Sequence, residues 1–324
     1  MKILVTGGTG FVGSEITRQL LAQGKAVRIL RRSTSSLDLL GSAAHHVEQA
    51  VGDVTKPETL APAMEGITHV YHTAASLGLD ERRDRLFQIN VQGTANVVNA
   101  ALEAGVTRLV HTSSIAALGR PERTDIVLNE SAEWHASRAN TAYARSKHEA
   151  ELEIHRGIAE GLDAVMVNPS LIFGVGRPGE NTRRIAEKIC DRKMPATPIG
   201  GTNVVDVRDV AAGHLLSMER GRTGERYFLG SENLLWRTIF ATLARAFDVP
   251  PPRFTLPPGA ALAFATLAET AAFLTRTTPL MTREMARQTA RFYTYDNRKA
   301  ITDLGCTFRP FEDTARHMAK HLGQ

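Results

Sequence analysis

The sequence predicts an α/β fold: a doubly wound parallel sheet with a smaller, discontinuous C-terminal lobe. Three observations predict it. Short apolar runs alternate with helical stretches through the first half of the chain. The runs are rich in Val, Ile and Leu rather than strictly alternating, as strands covered on both faces should be. After Pro169 the pattern breaks into Gly- and Pro-punctuated segments.

The first strand is Ile3–Thr6, followed by a glycine turn and a helix over Val12–Ala22. Strands then fall at Val27–Leu30, Val47–Val51 and His69–His72. A helix over Val91–Ala104, a strand Arg108–Thr112, a helix over Ala142–Ile158 and a strand Ala164–Asn168 complete the alternation. Residues 1–170 are therefore expected to form the sheet domain, and residues 171–324 mainly the lobe. Gly174, Gly176, Pro178, Gly179, Pro195, Pro198, Gly200, Gly201, Pro250–Pro252 and Pro257–Gly259 mark loops between the lobe's helices. Asn203–Met218 reads as a strand and then a helix, so the chain is expected to return to the first domain over about 203–220. Gly259–Leu274 is an apolar helix interrupted by Glu269 and shorter than a membrane span, which makes it a lobe-forming helix.

A chain of 324 residues that is 43% hydrophobic can bury a substantial core. Its 39 Lys and Arg against 34 Asp and Glu give a net charge of +5, scattered rather than gathered in blocks, which points away from nucleic acid. Cys190 and Cys306 lie far apart with no ligand-spaced partner, so neither a disulfide framework nor a metal site is expected. The chain enters a strand at Lys2 without a basic region and apolar leader, which makes a cytoplasmic location the expectation. The expected partner is a small molecule, bound by a monomer or a homodimer.

The turn after the first strand reads TGGTGFVG from Thr6 to Gly13 and opens a helix, the setting a dinucleotide-binding Rossmann turn requires. Gly7 makes the tight turn, Gly10 lets backbone approach a pyrophosphate, and Gly13 lets helix and strand pack closely. The helix N-terminus offers free N–H groups to the phosphates. Gly7, Thr9, Gly10, Phe11, Val12 and Gly13 are the expected cofactor residues here. An NAD-specific site carries an acid about 20 residues further on, at the end of the second strand. That strand instead runs into Arg31, Arg32 and Ser33, with no acid before Asp38. A guanidinium pairs with a 2′-phosphate, whereas a carboxylate repels it. NADP(H) is therefore the expected cofactor, with NAD(H) the alternative.

Further along lie Gly52-Asp53-Val54, HTAA from His72 to Ala75, Asn90 in NVQGTAN, Ser113 and Ser114 in HTSSIAALG, YARSK from Tyr143 to Lys147, and Asn168-Pro169-Ser170. Tyr143 and Lys147, four residues apart, share one helical face. Tyrosine is a poor acid at its unperturbed pKa of about 10, and a nearby ammonium favours its phenolate. As an ordered set these segments, together with DVRDVAAGH and GERYFLGSENL, resemble the extended short-chain dehydrogenase/reductase family along the whole chain. The dihydroflavonol-4-reductase-like and hopanoid-associated sugar epimerase-like subgroup is the nearest in appearance.

The resemblance implies roles. Asp53 and Val54 hold adenine; Thr73, Ala74 and Ala75 let the main chain run against the cofactor; Pro169 and Ser170 contact the nicotinamide. Lys147 holds the nicotinamide ribose, and Arg32 is the expected 2′-phosphate partner. Ser114 is the active-site hydroxyl, with Ser113 the second candidate. Asn90 matches the position supporting a water-mediated proton path, although a purely structural asparagine reads equally well there.

The resulting expectation is an NADPH-dependent reductase of a ketone or aldehyde with Tyr143 as proton donor. The alternative is a nucleotide-sugar epimerase or dehydratase with tightly bound NAD(P). Against that alternative, Val165–Gly176 lacks the Arg before the Asn and the Tyr-Gly-Pro after it that sugar-nucleotide enzymes usually carry. His45, His46, His111 and His148 have no carboxylate or thiol at ligand spacing and read as core or surface histidines. No Gly-x-Ser-x-Gly elbow supports a hydrolase.

Overall fold

The computed structural model describes residues 2–78, 83–121, 123–135, 137, 140–194, 196–275 and 282–322. Pro195, one of the expected loop residues, lies outside them. Seven strands form one parallel sheet, in the spatial order Glu48–Val51, Ala26–Arg31, Lys2–Thr6, His69–His72, Arg108–Thr112, Ala164–Pro169 and Arg226–Leu229. The chain order reverses between Lys2–Thr6 and His69–His72. The crevice at this switch point, beyond the carboxyl ends of the strands, is where such sheets bind ligands.

The apolar runs explain the double winding. Ile3, Val5, Ile29, Val110, Val165 and Val167 point to one core, shared with the helices Phe11–Ala22 and Val207–Arg220. Their neighbours Leu4, Leu30, Leu109 and Met166 point to a second core, shared with the helices Gly93–Glu103 and Ala142–Ala159. A strand with both faces covered needs no polar alternation. On the helix Ala142–Ala159 the buried stripe is Ala144, Lys147, Ala150, Glu151 and Ile154. Two charged residues thus occupy a face that packing alone would make apolar.

The lobe has its own core of Phe173, Ile189, Trp236, Phe240, Leu243, Phe311 and Met318. There Gly201–Asp206 pairs antiparallel with Glu232–Leu235 and parallel with Leu171–Phe173. Val205 of Gly201–Asp206 already packs in the main core, and the return continues in the helix Val207–Arg220, whose N-terminus Asp206 caps by accepting from the Arg208 N–H at 2.8 Å. It ends on the edge strand Arg226–Leu229, which the sequence reading left unassigned. A second return brings Ala300, Leu304 and Cys306 into the same core as Ile3. In the helix Pro258–Thr275, Ala261 and Ala265 pack with Leu256 and Ala286, while Phe264 and Leu267 are exposed. Among the described residues no helix is long and apolar enough to cross a membrane.

Candidate active site

The glycine turn is built for close approach. Gly7 takes φ +68°, a left-handed conformation that glycine adopts freely. A Cβ on Gly13 would lie 2.2 Å from the Gly7 carbonyl oxygen and 2.7 Å from Thr73 Oγ1. Gly10 differs, because a Cβ there would meet only the Gly7 oxygen, at 3.2 Å. Gly10 is also the N-cap of the helix Phe11–Ala22, and no side chain caps the N–H groups that follow it. Sequence reasoning passed over Gly8, where a Cβ would press into Ile29 at 2.6 Å. Thr73 Oγ1 donates to the Thr6 carbonyl at 2.7 Å, so the end of the fourth strand, with Ala74 and Ala75, lies along the turn.

The two arginines at the end of the second strand are not equivalent. Arg31 is held by Gln49 Oε1 at 2.8 Å and by two backbone carbonyls. Arg32 is exposed, and its guanidinium has no hydrogen bond or ion pair among the described residues. Arg177 was not foreseen. It reaches from the lobe to donate to the carbonyl oxygens of Thr9, at 2.8 Å, and Ser36, at 3.1 Å. Phe11 lies under the same segment, against Gly174 and Gly176. Asp53 closes the third-strand turn by accepting from the N–H and hydroxyl of Thr55 at 2.9 and 2.8 Å. Val54 is buried beneath Gly93.

The expected catalytic groups lie at the ends of the fifth and sixth strands. Ser114 caps a short 3₁₀ turn, its Oγ accepting from the Ala116 N–H at 3.2 Å. Tyr143 stands in the first turn of its helix. Burial pushes its hydroxyl above the ordinary tyrosine range, and the Ser114 side chain beside it opposes that shift. That proximity separates Ser114 from Ser113, whose hydroxyl is buried without a partner among the described residues. Lys147 is buried and donates to the Thr112 carbonyl at 2.7 Å. Burial lowers its pKa to about 8, against the charge of Glu151, which raises it. The anticipated pull of the Lys147 ammonium on the Tyr143 phenol is not among the influences that set its pKa.

Asn90 sits in a π-helical turn, Gln88–Gln92, a distortion frequent at functional sites. Its amide is fully engaged: Oδ1 accepts from the Ser76 N–H at 2.7 Å, and Nδ2 donates to the Ser76 carbonyl and to Ser146 Oγ, both at 2.9 Å. It therefore anchors the loop after the fourth strand to the Tyr143 helix. Pro169 ends the sixth strand, and the following Ser170 has a buried hydroxyl with no partner among the described residues. The histidines divide as core and surface. His111 is buried with both ring nitrogens unpartnered, and His148 stacks on Trp134 with ring centroids 4.3 Å apart. Among the described residues no group of His, Cys, Asp or Glu is placed to hold a metal ion.

These features fit a dinucleotide. No side chain crowds Gly10, the helix N–H groups are uncapped, and the orphaned hydroxyls of Ser113 and Ser170 are polar groups that a ligand would satisfy.

Comparison with known proteins agrees. Residues 3–230 match the model of the NAD dependent epimerase/dehydratase family. The chain is 38% identical over 311 residues to a putative dihydroflavonol 4-reductase of Synechocystis, covering 93% of this chain and 88% of that one. It is 36% identical over 298 residues to sterol demethylase protein B of Methylococcus capsulatus, covering 90% and 86%. The crystal structure of gox2253 superposes with a TM-score of 0.85 at 34% identity, covering 99% of this chain and 98% of that one. On fold, motifs and relatives together, the chain belongs to the NAD-dependent epimerase/dehydratase family of extended short-chain dehydrogenases/reductases and is an NAD(P)-dependent oxidoreductase.

Proposed function

We propose that the chain is an NADPH-dependent reductase of a free ketone or aldehyde, with Tyr143 as the proton donor and Ser114 holding the reacting oxygen. The observation that carries this reading is the Ser114 side chain beside a Tyr143 phenol that burial keeps protonated. A protonated hydroxyl beside the substrate oxygen suits delivery of a proton to a nascent alkoxide.

When bound in this cleft, a reduced nicotinamide would supply the hydride for the carbonyl carbon. The protein's part is positional and electrostatic. Ser114 and Tyr143 fix the carbonyl oxygen by hydrogen bonds that strengthen as negative charge builds on it. The Tyr143 proton passes to that oxygen, so one carbonyl, one hydride and one proton give one alcohol. Lys147, protonated below about pH 8, places a positive charge under the same site. The unpartnered Arg32 supports NADPH over NADH, because a reductase draws on the reducing pool while an epimerase returns its hydride.

Purified protein assayed with NADPH against ketones, aldehydes and UDP-sugars tests the reading. The expected result is little bound nicotinamide on purification and steady loss of the reduced-cofactor absorbance with a ketone or aldehyde. Stoichiometric non-exchanging NAD, with UDP-sugar interconversion and no net cofactor consumption, would establish the epimerase alternative instead.

A further inference from the structure

Resting on that reading of Ser114, Tyr143 and Lys147, we infer that Glu151 is the positioning residue of the site: one buried carboxylate that aims the Ser114 backbone through Asn168 and serves as the counter-charge of Lys147. Glu151 is 2% exposed and lies one helical turn beyond Lys147, on the same buried stripe. Its Oε1 accepts from Asn168 Nδ2 at 2.7 Å, and the same Nδ2 donates to the Ser114 carbonyl at 3.0 Å. Both neighbours are acceptors, so only the NH₂ end of Asn168 can face them. Turning the amide over would set three oxygens against one another, which fixes the orientation on chemical grounds. Asn168 thus works as a strut between carboxylate and catalytic serine.

The charges around the site are few. Lys147 faces His72 from the fourth strand and His111 from the fifth, both held neutral by burial, His72 with a pKa of about 3. Tyr143 lies one turn earlier on its own helix and is protonated. Among the described residues Glu151 is the carboxylate that acts on Lys147. Glu151 in turn faces Arg226 from the seventh strand, with Nη1 at 3.4 Å from Oε2, and His148 on its own helix. Arg226 also donates to the carbonyls of Glu130 and Ala132 at 2.6 and 3.0 Å, tying the loop that precedes Tyr143 to the same carboxylate. Burying a carboxylate carries a desolvation penalty. This one is hydrogen-bonded to Asn168, faces Arg226 at 3.4 Å and stands one helical turn from Lys147, which ties its position to the geometry and charge of the site.

The test compares Glu151→Gln with the native protein. Gln keeps an acceptor for Asn168 and removes the charge, whereas Glu151→Leu removes both. Lysine labelled with ¹³C at Cε, with the Lys147 resonance assigned by its absence in Lys147→Met, reports the titration without any substrate. The native Lys147 should titrate near pH 8, and Glu151→Gln should move it roughly one unit lower. If the Gln variant is folded and its Lys147 titrates as in the native protein, the counter-charge role is overturned. Retained turnover in Lys147→Met would instead sink the catalytic reading and leave the NMR shift intact, so the two failures are distinct. For the strut, the Ser114 amide resonance should move in the Leu variant and stay near native in the Gln variant. An unmoved Ser114 resonance in Leu would contradict it.

Discussion

Arg177 Nη2 donates to the carbonyl oxygen of Thr9 at 2.8 Å, joining two residues 168 positions apart and fastening the lobe to the glycine turn. The same nitrogen reaches the Ser36 carbonyl, so one guanidinium spans both loops that flank the nucleotide site. Arg177→Met should loosen these loops, and the cost of ordering them then falls on binding. Affinity for NADPH and NADH should drop together, by up to roughly thirtyfold for two bonds of about 1 kcal/mol each. Isothermal titration measures both; unchanged dissociation constants would show that the loops hold without the clamp.

On the proposed reading, Arg32 sets the cofactor preference. Arg31 is already occupied by Gln49, so Arg31→Ala should weaken NADPH much less than Arg32→Ala. Arg32→Asp should reverse or erase the preference, because a carboxylate repels the 2′-phosphate and accepts from a 2′-hydroxyl. Equal affinities for the two cofactors in the native protein would remove the basis for this assignment.

Two glycines of one turn should fail in different ways. In Gly13→Ala the new methyl meets the Gly7 carbonyl, a backbone atom, and the protein should lose about 2 kcal/mol or more of stability. In Gly10→Ala the methyl meets only the Gly7 carbonyl oxygen, at 3.2 Å, a tight contact that a small shift relieves, so stability should change by about 1 kcal/mol or less, while NADPH affinity falls because the methyl stands where the pyrophosphate approaches. Urea denaturation alongside cofactor titration separates the two. Normal NADPH binding by Gly10→Ala would place the phosphates elsewhere.

The parts of this structure that were legible in the sequence are those written in local pattern. The glycine turn, six strands of the sheet and the Tyr143–Lys147 spacing all lie within short windows. The seventh strand was missed because Arg226–Leu229 is only four residues long and follows a lobe excursion. Arg177 and Thr9, or Glu151 and Arg226, meet only through the fold. Glu151 did leave one local trace, a carboxylate four residues after Lys147 on a helix face otherwise meant for burial. Asn90 shows the opposite limit, since residue type and position were clear while its bonds to Ser76 and Ser146 needed the structure.

The buried Lys147 should be visible in the pH dependence of stability. Its folded pKa, about 8, lies below the ordinary 10.5, so between those values the unfolded chain binds more protons and stability rises with pH. Other groups contribute equally to native protein and Lys147→Met. The native protein should therefore gain about 2 kcal/mol on the variant between pH 8 and 10. A difference independent of pH, measured by urea denaturation, would mean that Lys147 is not desolvated as the structure has it.

Tyr143 is the proposed proton donor, and Tyr143→Phe is the decisive variant because it removes one hydroxyl oxygen and little else. Single-turnover reduction of the ketone or aldehyde found in the substrate panel, with NADPH bound beforehand, reads the chemical step. NADPH should bind Tyr143→Phe with near-native affinity while the rate falls by about 10²–10⁴-fold, the range expected for a lost general acid. A rate within a few-fold of native would contradict the account and require another group as the proton donor.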